Sequence, residues 1–86
     1  MQEIITEILE RHGFPTKNVE ELIRHLLKWD QNKLLDLSII TSNKEIIGYF
    51  IKPMTYMFIS AQGVPKTTWR YCSLGSELVA RLKGGE

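Results

Sequence analysis

Few side chains in this sequence are suited to making or breaking bonds. His12, His25 and Cys72 are the obvious nucleophile or base candidates beyond hydroxyls and carboxylates. His12 closes a helical segment, where an imidazolium complements the helix dipole. His25 falls on the polar face of a second helix. Cys72 lies in a strand-like run, and a lone cysteine there is more often a small buried hydrophobe than a nucleophile. No His/Cys/Asp spacing makes a metal site, and no glycine loop cradles phosphate. The expectation is a protein that is not an enzyme and has no cofactor or metal. Binding chemistry remains. Asn43, Lys44, Tyr49 and Lys52 share one stretch, and Lys66 and Arg70 share another. Amide and ammonium groups meet base edges and phosphates, and a phenol packs on sugars or anchors a protein interface.

Composition narrows the setting. The 86 residues suit one domain, 1–86, near the lower end of what supports a core without staples. A single cysteine excludes an intramolecular disulfide and a cysteine zinc cluster, so a reducing compartment is the simplest reading. No apolar run approaches a membrane span, and the acidic start "MQEIITEILE" does not read as a signal peptide. The cytoplasm, or the inside of a host cell, is the expected location. Net charge is only +1. Residues 1–30 carry six acids and four bases, whereas residues 31–70 carry five bases and two acids. Any basic footprint therefore lies in the middle and the region after it.

The elements that must position these residues follow from apolar spacing. Ile4, Ile5, Ile8 and Leu9 mark one helical face, and Gly13 with Pro15 stops the segment. Asn18 and Glu21 form a capping-box-like start to a second helix, whose stripe is Val19, Leu22, Ile23, Leu26 and Leu27. Asp30 and Asn32 are cap candidates before an apolar segment, Leu34 to Ile40, that fits two helical turns or one strand. The next stretch, "TSNKEIIGYFIKP", admits two readings. Ile46, Ile47, Phe50, Ile51 and Met54 recur at helical spacing, and Ser42 with Glu45 matches a capping box. The β-branched residues and Gly48 favour a strand instead. Period is given the greater weight, which predicts a helix over 43–52 ended by Pro53. "TYMFIS" and "TTWRYCS", separated by Gly63 and Pro65, read as an antiparallel hairpin with Lys66 near its tip and Arg70 on the returning strand. Ser73 is placed to cap a last helix carrying Leu74, Leu78, Val79 and Leu82.

This order resembles a winged helix-turn-helix domain: mainly α, with a β-hairpin wing. "PKTTWRYCSLGSELVARLKG" looks like the second wing strand and following helix of small MarR-, ArsR- and PadR-like regulators. "LLDLSIITSNKEIIGYFIKP" would then be the helix-turn-helix, with Thr41-Ser42 in the turn. The resemblance implies a DNA-binding transcriptional regulator that reads double-stranded DNA through a recognition helix at about 43–52 and a basic wing. Asn43, Lys44, Tyr49, Lys52, Lys66 and Arg70 would be its contacts. A homodimer would follow, with the first helix as its contact. The alternative fold is α+β with a four-stranded antiparallel meander. The alternative function is a small phage- or plasmid-type interaction or inhibitor protein that binds a host protein.

Overall fold

The computed structural model describes residues 2–14 and 19–84. It is an α+β fold in which four helices pack on one face of a four-stranded antiparallel sheet. Helix α1 (Gln2–Arg11) buries Ile5, Ile8 and Leu9. Its end is a Schellman closure: Gly13 adopts φ 80, its N–H donates to Glu10 O and the Phe14 N–H to Leu9 O. Helix α2 (Val19–Leu26) buries Val19, Leu22, Ile23 and Leu26 against α1 and the sheet. Its expected cap, Asn18, lies outside the described residues. Asp30 caps the one-turn helix α3 (Gln31–Leu34), its carboxylate accepting from the Asn32 N–H at 2.9 Å. Strand β1 (Leu37–Ser42) follows, so the Leu34–Ile40 segment divides into the end of a helix and the start of a strand. Of the apolar stripe of α1, Ile5, Ile8 and Leu9 lie in the intramolecular core and Ile4 packs against it, partly buried.

The helix predicted over 43–52 is instead a turn and a strand, β2 (Glu45–Ile51). Two features imitate helical spacing there. First, β1 pairs Ile40 with Gly48 but Thr41 with Ile46, so Ile47 is an extra residue at a β-bulge. Ile46, Tyr49 and Ile51 therefore face the helices, while Ile47 belongs to a second apolar cluster on the opposite face. Second, that opposite face is also covered, since Ile40 and Ile47 pack with Ala61, and Phe50, Val64 and Trp69 join them. A strand buried on both faces has no reason to alternate. Asn43 and Lys44, at φ 51 and φ 66, form a two-residue hairpin turn of the kind that needs left-handed backbone at both positions. Ser42 caps no helix; its hydroxyl hydrogen-bonds the Thr68 hydroxyl at 2.8 Å.

The expected hairpin wing also does not form. Strand β3 (Met54–Met57) pairs with β2, and β4 (Arg70–Ser73) pairs with β1, giving the order β3-β2-β1-β4. The two supposed wing strands are thus the opposite edges of one sheet. The segment between them crosses the outer face through short 3-10 turns at Ile59–Ala61 and Lys66–Thr68. Helix α4 (Gly75–Gly84) begins one residue later than expected, with the Leu78 N–H bonding Leu74 O, while the Ser73 hydroxyl meets that of Ser38 at 3.2 Å. Charged side chains fasten α4 to α1: Glu7 accepts from Arg11 and Arg81, and Glu77 accepts from His12 at 2.7 Å.

Gly75 sets how closely α4 approaches α3. A Cβ there would stand 1.8 Å from Leu34 O and 2.6 Å from the Leu35 carbonyl carbon. These are backbone atoms, so no side-chain rotation relieves the overlap. Gly75→Ala is expected to cost about 3 kcal/mol, the upper end for overpacking. Gly84→Ala, with open space around it, serves as a control within about 0.5 kcal/mol of the parent. Urea denaturation monitored by circular dichroism measures both.

Candidate functional site

The six sequence-predicted contact residues do not share one face. Four gather at one end of the sheet. Asn43 and Lys44 form the β1–β2 turn, and Arg70 pairs across from Thr41 on β4. Lys66 lies in the 3-10 turn that Thr68 ties to Ser42, with its Nζ 5.8 Å from the centroid of the Trp69 ring. Lys52 is at the far end of β2, in the turn to β3. Tyr49 is only 1% exposed and belongs to the core, so it presents no contact surface.

Tyr49 organises an aromatic cluster. It stacks on Tyr56 at 5.0 Å and meets Trp29 and Phe58 edge-on at 5.5 and 6.0 Å. Its hydroxyl hydrogen-bonds His25 Nδ1, which satisfies the one polar atom of an otherwise buried side chain. Burial pushes the phenol up to about 12, helped by the nearby Tyr56 and Glu21. His25 thus holds the hydroxyl of a core side chain, and His12 is bound to Glu77. Burial, with Glu77 close by, raises the Cys72 thiol above its ordinary value, which disfavours the thiolate. Among the described residues no group of His, Cys, Asp and Glu is arranged to hold a metal ion. No helix among them is long and apolar enough to cross a membrane.

The aromatic cluster opens to solvent at one side. Trp29, Ile51, Pro53, Met54 and Tyr56 line a groove of about 340 Å³, together with Asn32, Lys33, Asp36 and Lys52. It lies between α3 and β3, where the sheet ends. The Phe58 N–H donates to Ile47 O at 2.9 Å. Alternation along an antiparallel ladder then turns the Tyr56 and Met54 backbone groups toward β2 and those of Thr55 and Met57 toward the open edge. This edge carries no charge, and its large side chains are exposed: Met54 58%, Met57 40% and, just beyond it, Ile59 86%. The opposite edge, β4, carries Arg70. Charged residues on an edge discourage strand-to-strand pairing, and β3 has none.

Sequence reasoning missed this site. Of its residues only Lys52 was singled out as a contact, and Met54 read as the inner face of a helix. The available signal was "MTYM", an uncharged β-rich run following Pro53. The buried phenol gives a pH signature with a definite sign. Its folded value lies above the unfolded value near 10, so the native state holds more protons between pH 10 and about 12. Stability from this group is full below pH 10 and falls as pH rises through that window. Tyr49→Phe is expected to be about 1 kcal/mol less stable at pH 7, through the lost hydrogen bond to His25, and to show a shallower decline from pH 10 to 12. Denaturation midpoints across that range measure it. No protein-family model matches this chain, and no curated protein or solved structure is significantly similar to it.

Proposed function

We propose that this protein is a small interaction module that binds another polypeptide by adding it as a strand to the open edge of β3. The observation that carries this reading is the uncharged edge itself, flanked by Met54, Met57 and Ile59 and backed by the Trp29–Tyr56 groove. Strand addition takes affinity from main-chain hydrogen bonds and specificity from pockets for alternate side chains. The Thr55 and Met57 backbone groups supply the first, and the groove supplies the second. Methionine side chains adapt to varied apolar surfaces, which suits a contact of this kind.

Thr55→Pro tests it. Its N–H faces the open edge, so proline removes one edge donor and leaves the ladder to β2 its bonds. Peptides selected by phage display on the full chain are expected to bind Thr55→Pro about tenfold more weakly, with an unchanged circular dichroism spectrum. Selection that enriches nothing, or peptides indifferent to Thr55→Pro, would sink the reading.

A second reading keeps nucleic acid as the partner. It is favoured by the gathering of Asn43, Lys44, Lys66 and Arg70 at one end of the sheet. It has no helix for a major groove and rests on phosphate contacts alone. Duplex binding through such contacts weakens steeply with salt. Under the polypeptide reading no duplex binds even at low salt; binding that is lost in Lys44→Ala/Arg70→Ala would support nucleic acid instead.

A further inference from the structure

The groove beside β3 has two chemically different ends. Trp29 and Tyr56, with ring centroids 5.7 Å apart, form the aromatic end. The other end follows from register: Leu37 pairs with Ile51 and Ile51 with Met54. Asp36 and Lys52 belong to the next row, and with Lys33, one helical turn before Asp36, they line the groove at its Met54 end. Two ammonium groups face one carboxylate, so this end is net positive. No ion pair among the described residues takes up Lys33 or Lys52.

An antiparallel partner strand samples both ends in a fixed order. Its residue opposite Tyr56 faces the helices and meets the Trp29–Tyr56 rings. Two positions later, its residue opposite Met54 returns to the same face beside Lys33 and Lys52. The residue between them points to the outer face, next to Thr55. Resting on the strand-addition reading, we infer that the groove takes an extended acidic segment: an aromatic or long aliphatic residue followed two positions later by Asp or Glu. A groove of about 340 Å³ has room for one such large side chain. Charge complementarity selects this occupant over a second copy of the chain, because "MTYM" brings no carboxylate to the lysines.

The probe is a blocked, fluorescently labelled nonapeptide of threonine and valine with tryptophan and glutamate two positions apart at its centre. It is titrated into the full chain by anisotropy and by amide NMR. The expected result is chemical-shift change at Thr55, Met57 and the groove residues. Binding should be about fivefold tighter than for the same peptide with lysine replacing glutamate, and the gap should close as salt rises. In Lys33→Gln/Lys52→Gln the two peptides bind alike, while Thr55→Pro weakens both. Equal binding of the two peptides to the unaltered protein overturns the acidic preference and leaves strand addition standing. Binding of neither, together with a phage selection that enriches nothing, overturns both. A dimer through β3, seen by light scattering and not displaced by the glutamate peptide, overturns the choice of occupant.

Discussion

Everything in this fold depends on burying β1 from both sides. All six of its residues, Leu37 to Ser42, are buried. Leu37 and Ile39 pack under the helices, while Ile40 packs under the segment that crosses the outer face. A small domain has little volume in which to shield apolar surface, and a central strand sandwiched between two covers is an economical arrangement. Its consequences spread outward. β2 must also be apolar on both faces, the 58–69 connection must be long enough to cross the sheet, and β4 must return to the edge of β1 rather than pair with β3.

The covers differ in how they are held. The helical layer rests on a large apolar cluster, fixed at its rim by Glu7, Arg11, His12, Glu77 and Arg81. These pairs are largely exposed, so each contributes little and together they orient α4 on α1 more than they stabilise it. Gly75 lets α4 start in contact with the α3 backbone. The outer cover is thin and is pinned by the Ser42–Thr68 hydroxyl pair and by Trp69. Covering ends before the far edge, and β3 is left with one face over the groove and Thr55 and Met57 turned outward. The proposed strand addition would complete there what the chain itself leaves open.

Helices α1, α2 and α4 were legible because each declares itself locally. The stripes of α1 and α2, the Gly13 stop and the Asp30 cap depend on neighbours within a turn or two, and the structure keeps them except for Leu27, which falls past the end of α2 and is exposed. Most of the proposed site was not legible. Trp29, Asp36 and Lys52 lie in three separate connections and Met54 and Tyr56 in β3, and no spacing in the chain brings them together. Four of the six candidate contacts do converge at one end, but through the β1–β2 turn and the β1–β4 register rather than through a helix.

The stretch from Thr41 to Pro53 shows where the division falls. The sequence by itself determined that Ile46, Ile47, Phe50 and Ile51 would turn inward, that Ser42-Asn43-Lys44 would begin a new element, and that Pro53 would end it. It did not decide between helix and strand, because the bulge at Ile47 and burial on two faces reproduce helical spacing in an extended chain. That choice belongs to tertiary structure. Only the pairing of β2 with both β1 and β3 supplies the hydrogen bonds that a buried extended backbone, unlike a helix, cannot make within itself. The same pairing sends the two β-rich runs to opposite edges, and it is this placement that leaves β3 open.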